Sequence, residues 1–130
     1  MTDASVDTPA ELDRHRYLSL ATFRASGAEV RTPVWFVAVD GRLWVFTAGE
    51  SGKVKRLRRS ARARVAPCDA RGGVRGAWRD VTARPIVDAA AIARARSAFK
   101  QKYGWQLALL DVFSRVTGRL RRRAWIEITL

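Results

Sequence analysis

The sequence predicts a mainly β domain (α+β class) built as a small closed or half-closed β-barrel with peripheral helices. Three observations carry this reading. Six β-prone stretches follow one another at short spacing, as in small barrels and unlike the regular strand–helix alternation of parallel sheets. The helical stretches are few and peripheral. Finally, 48% apolar residues with five Trp in 130 residues can furnish the core of one domain and exclude general disorder. No repeat, linker or low-complexity tract divides the chain, so residues 1–130 are expected to form one domain, with residues 1–7 disordered.

Each element has a local reason. Thr8-Pro9 reads as a cap followed by Pro at the first helical position, opening a short helix to about Arg14. Tyr17–Phe23 is rich in β-formers and ends at a Ser26-Gly27 turn; Glu29–Val39 is a second strand, apolar from Val34 onward and expected to be buried on both faces. Asp40-Gly41 predicts a two-residue hairpin, because both central positions of a type I′ turn need positive φ. Arg42–Thr47 returns as a third strand. A helix starts at Ser51-Gly52 and runs to about Ser60, with Val54, Leu57 and Ala61 as its narrow apolar face. Arg62–Pro67 and Val74–Val87 follow as the fourth and fifth strands. Helices are predicted over 89–102 and 105–116, interrupted at Tyr103-Gly104. The last strand, Arg123–Leu130, alternates cleanly, with Ala124, Ile126, Ile128 and Leu130 on one face.

Composition narrows the chemistry. Twenty-one Arg and four Lys against twelve acids give a net charge of +13, a field that attracts anions. One Cys (Cys68) excludes an intramolecular disulfide framework, and with one His (His15) there is no ligand set for a structural zinc. No apolar run reaches the roughly 20 residues of a membrane span, and the acidic, polar N-terminus lacks a secretory pattern. A cytoplasmic location is expected. Nucleophilic triads and paired carboxylates are missing, so no catalytic side chain is assigned. An enzyme of this composition imports its chemistry from an organic cofactor. Cys68 reads as buried filler before it reads as a reactive thiol.

One segment resembles a ligand site. From Lys53 to Arg64 the basic residues Lys53, Lys55, Arg56, Arg58, Arg59, Arg62 and Arg64 occur without an acid, and the helix that opens this segment begins behind a strand ending at Thr47. A helix start offers unpaired N–H groups and a positive dipole end. Thr47, Ser51, Lys53 and Arg56 are the candidates to hold one phosphate, Lys53 and Arg56 sharing a face at i, i+3. A solvated basic helix is the plain alternative. The P-loop pattern fails twice, at Thr47 and Val54. A nucleic-acid recognition helix lacks a helix-turn-helix partner or zinc framework, which leaves non-specific phosphate binding. A non-catalytic basic module for nucleic acid or another polyanion is therefore the alternative function. Among the aromatics, mostly core, Trp78 beside Arg75, Gly76 and Arg79 is the best candidate to flank a flat ring.

Five segments together resemble a known family: Tyr17–Thr22, Thr32–Phe36, Asp40–Val45, Thr47 with Ser51–Leu57, and Val65–Asp69. They are similar to the pyridoxamine 5′-phosphate oxidase-like flavin and deazaflavin proteins, and within them to the small oxidoreductases that use the deazaflavin coenzyme F-420. The likeness covers about residues 12–130. It implies a six-stranded split β-barrel of the FMN-binding kind and a homodimer with two cofactor sites at the subunit interface. It further implies hydride transfer from reduced F-420, with FMN as the alternative cofactor, to a small organic acceptor. Carried over, Thr47, Ser51, Lys53 and Arg56 hold the cofactor phosphate, and Pro33, Val34 and Trp35 line its ring. Trp78 lies near, from the same or the other protomer. Arg75 and Arg79 are candidates to stabilise developing charge, or plain exposed arginines. Tyr103-Gly104-Trp105 borders the substrate opening or serves packing and dimer contact.

Overall fold

The computed structural model of the chain describes residues 8–48, 51–117 and 123–130. The expectation for residues 1–7 lies outside them. In chain order the elements are α1 (Pro9–Leu12), β1 (Tyr17–Phe23), β2 (Glu29–Val34), β3 (Val37–Val39), β4 (Arg42–Ala48), α2 (Gly52–Arg59), β5 (Arg62–Cys68), β6 (Arg79–Ile86), α3 (Ala89–Tyr103), α4 (Trp105–Thr117) and β7 (Arg123–Thr129). The strands form one antiparallel sheet in the order β2-β1-β5-β6-β7-β4-β3.

That order explains the shape. β2 and β3 are opposite edges of the sheet, yet only Trp35 and Phe36 separate them in the chain. The sheet must therefore curl until its edges lie close, and the seam is crossed by the chain and not by a hydrogen-bonded ladder. This is a split barrel with an unclosed sheet. The expectation of six strands is corrected to seven, because the predicted strand over 29–39 breaks at Trp35–Phe36. The run carries no Gly and no turn pair there, so nothing local announces the corner. Its backbone is satisfied from a distance: Phe36 N–H donates to the Tyr103 hydroxyl at 2.9 Å, and Phe36 C=O accepts from that hydroxyl at 2.9 Å and from Lys102 Nζ at 2.9 Å. An unpaired buried amide would otherwise cost about 1–3 kcal/mol.

Other expectations need smaller changes. The strand expected over 74–87 begins only at Arg79; Val74 makes an isolated bridge to Cys68, and Gly76 passes so close to Pro67 that a Cβ would meet its ring at 2.7 Å. The Thr8 cap is a full capping box with Glu11. The β3–β4 hairpin has φ of +53° at Asp40 and +76° at Gly41. Ala61 lies beyond the end of α2.

Two cores flank the sheet. Inside the barrel lie Leu18, Leu20, Phe36, Leu43, Val45, Val65, Ile126 and Ile128, joined by Val54 and Leu57 of α2. On the outer face Val37, Trp44 and Trp125 pack with Ala95, Phe99 and Tyr103 of α3 and Leu107 of α4. The alternation of β7 is thus real on both sides: Ile126 and Ile128 enter the barrel, while Trp125 meets α3. Among the described residues, no helix is long and apolar enough to cross a membrane.

Candidate functional site

The site is positioned by three elements. β4 delivers Phe46 and Thr47 beside the start of α2. Ser51 caps α2, its hydroxyl accepting from Val54 N–H at 3.4 Å. Val54 and Leu57 are anchored in the barrel core, which fixes how the helix is rotated and leaves Lys53 half-buried at the sheet. The third element is the end of β2 and its corner.

Together they enclose an open cavity of about 230 Å³ lined by Pro33, Val34, Trp35, Phe46, Thr47, Lys53 and Leu110. Most of this wall is apolar. Thr47 and Lys53 are its polar end. Trp35 is backed by Tyr103, the rings stacked at 4.5 Å and 12°. Tyr103 itself is held by Phe36 and by the Arg16 carbonyl at 2.9 Å. Lys102 donates to Asp13 at 2.9 Å, and Asp13 accepts from Ala38 N–H at 3.1 Å. The aromatic wall is thus fixed by the end of α3.

The electrostatics at α2 are one-signed. Burial, aided by the charge of Arg56, lowers the Lys53 pKa from its usual value. Burial and then the charge of Arg24 do the same for Arg56. An anion beside either group offsets the penalty on that group.

Of the residues predicted from sequence, Pro33, Val34, Trp35, Thr47 and Lys53 meet in this cavity. Ser51 acts as the helix cap. Arg56 points elsewhere: its Nε donates to Thr22 Oγ1 at 2.6 Å, and it lines a separate cleft. Within this one chain Trp78 lies under Arg31 at 4.6 Å and Arg64 at 5.2 Å, outside the cavity. Arg75 is paired with Asp69 at 3.5 Å, and Cys68 is buried with its thiol pKa pushed up by burial and by Asp69. Phe46 and Leu110 were not foreseen. Phe46 directly precedes Thr47 and reads as core. Leu110 arrives on a helix far along the chain, with no local signal.

With this geometry in hand, the sequence pattern described as Pyridoxamine 5′-phosphate oxidase matches residues 8–130. The chain belongs to the pyridoxamine 5′-phosphate oxidase family. No curated protein sequence matches it. Solved structures resemble it at the level of the fold. A conserved hypothetical protein of Mycobacterium tuberculosis has a TM-score of 0.65 and 22% identity over 98% of this chain and 83% of that one. HutZ, the heme storage protein of Vibrio cholerae, has a TM-score of 0.69 and 13% identity over 92% and 85%. An FAD-binding protein of Mesorhizobium loti has a TM-score of 0.57 and 17% identity over 92% and 82%. The family fold binds flavins and related ligands and includes flavin-dependent oxidoreductases; its structural neighbours also include a heme storage protein.

Proposed function

We propose that the chain is an oxidoreductase that binds reduced deazaflavin coenzyme F-420, with FMN as the alternative, and passes a hydride to a small organic acceptor. The observation that supports this is one cavity with an apolar wall, Pro33–Trp35 with Phe46 and Leu110, and a polar end at Thr47 and Lys53. A planar ring carrying a phosphate has the same two-part character. β2 is an edge strand, so one side of its backbone is available to the polar rim of a ring. The reduced deazaflavin, when bound, supplies the hydride. The chain's own part is to orient the ring against Trp35, hold the phosphate with Lys53 and Thr47, and exclude water.

At about 230 Å³ the cavity falls short of the roughly 300–1,000 Å³ of complete small-molecule sites. This favours a homodimer in which a second copy finishes the site and brings Trp78 or α4 to it. The net charge of +13 favours F-420 over FMN, since F-420 carries a polyglutamate tail as well as its phosphate.

The test is a titration of the apo-protein with reduced and oxidised F-420, FMN and an oligonucleotide at two salt concentrations. Saturable binding of F-420 is expected. Lys53→Ala should weaken it by roughly 1.5–3 kcal/mol with the fold intact. Saturable binding of the oligonucleotide alone, with a steep salt dependence, would replace this reading by the basic module. A screen of reduced-cofactor oxidation across quinones, enones, tetrapyrroles and xenobiotics would then identify the acceptor.

A further inference from the structure

A second depression, of about 280 Å³, shares no residue with the cavity. Arg24 and Ala25, from the β1–β2 turn, line it with Gly52, Lys55, Arg56 and Arg59 of α2. Its charge environment differs from that of the ion-paired basic side chains among the described residues. Arg31, Arg42, Arg64, Arg75, Arg94 and Lys102 each have a carboxylate within 4.0 Å. The cleft's described lining contains four cations and no carboxylate. Among the described residues Arg56 and Arg59 donate to neutral oxygens, Thr22 Oγ1 at 2.6 Å and the Phe23 carbonyl at 2.5 Å. Arg24 and Lys55 have no side-chain hydrogen bond or ion pair among the described residues. The Arg56 guanidinium lies over Gly52, where a Cβ would meet its Nη1 at 2.7 Å. Arg56 is thereby folded back over the helix start, and the four cations share one cleft, where each makes the next less favourable.

We propose that this cleft is a binding site for a small polyvalent oxyanion, of diphosphate or polycarboxylate chemistry. Several negative charges on one small ligand offset the mutual repulsion of four cations, which a single charge does only in part. Guanidinium groups add paired donors that match phosphate and carboxylate oxygens. A polymer is less well served. The basic residues of β5 do not extend the cleft into a track: Arg62 lies over the Phe23 ring, and Arg64 is engaged by Glu29 and Asp80. The site stands whether or not the neighbouring cavity holds a redox cofactor.

Isothermal titration with pyrophosphate and with citrate, at low and at physiological ionic strength, tests it on the full chain. One-to-one saturable binding is expected, weaker at the higher ionic strength. Arg24→Gln with Lys55→Gln should weaken pyrophosphate binding at least about tenfold, and thermal melts should show the fold unchanged, since neither side chain has a hydrogen-bond or ion-pair partner to lose among the described residues. Lys53→Ala should change pyrophosphate affinity by no more than about threefold, a residual long-range charge effect. Equal binding of both anions assigns the site to polyvalent oxyanions in general; binding of pyrophosphate alone assigns it to phosphates. No saturable binding of either anion at low ionic strength overturns the proposal. So does loss of binding on Lys53→Ala with the double variant unaffected, or saturable binding of an oligonucleotide only. Titrating F-420 into the double variant in parallel separates the two readings: cofactor binding without pyrophosphate binding in the wild type sinks only the cleft.

Discussion

At Asp40-Gly41 the chain reverses through a two-residue loop whose backbone is set by the residues themselves, with φ of +53° and +76°. Shortly before, at Trp35–Phe36, it leaves one edge of the sheet for the other with no turn residue at all. There the backbone is held by Tyr103 and Lys102, 67 and 66 residues away in sequence. The first reversal is a local solution that any hairpin of this composition finds. The second exists only after α3 has docked. It is also the one that shapes the cavity, because the same Tyr103 that accepts from Phe36 N–H stacks on Trp35. The functional wall of the molecule therefore depends on a contact between segments far apart in the chain.

The contrast can be broken from either side. Tyr103→Phe keeps the ring and removes the hydroxyl, leaving the buried Phe36 N–H without its acceptor. A loss of about 1–3 kcal/mol is expected in urea unfolding, together with weaker ligand binding in the cavity. Unchanged stability would show that the corner is self-supporting. Gly41→Ala attacks the local turn instead. A side chain at φ of +76° should cost about 1–2 kcal/mol and leave ligand affinity as it was; a change in affinity would deny the independence of the two reversals.

The smallest effect concerns Lys102. Burial lowers its pKa, outweighing the opposing effect of Asp13. Its charged form is thus less favourable in the folded chain than in the unfolded one, and the folded state binds fewer protons. The group's contribution to stability rises with pH from its lowered folded value toward the ordinary lysine value of 10.5. The urea midpoint of wild type minus that of Lys102→Met should increase as pH climbs through this window. A difference that falls over the same range would mean that the Asp13 pairing dominates.

Much of the fold was readable in the letters where the signal was local. β1 was placed at Tyr17–Phe23 as observed, because its β-formers are bounded by turn residues. Ser51-Gly52 marked the start of α2 by its cap, and β7 showed its alternation. The break after Val34 was invisible, since an apolar run across a corner has the composition of a buried strand. The site divided in the same way. Pro33, Val34, Trp35, Thr47 and Lys53 lie together because a strand end, its neighbour and a capped helix start bring them there. Spacing alone put Arg56 beside Lys53, but long side chains at i, i+3 can diverge. Arg56 meets the otherwise buried hydroxyl of Thr22, a partner that no helical periodicity reveals.

The sequence by itself determined the element types, the hairpin, the helix caps and the concentration of positive charge around α2, because each follows from backbone preferences and composition within a few residues. Only the tertiary structure decided where the sheet splits, which face of α2 meets the cavity, and that Tyr103 and Leu110 belong to its wall. Those outcomes are settled by satisfying buried polar groups and packing apolar surface between segments far apart in the chain, quantities that do not exist until the segments meet.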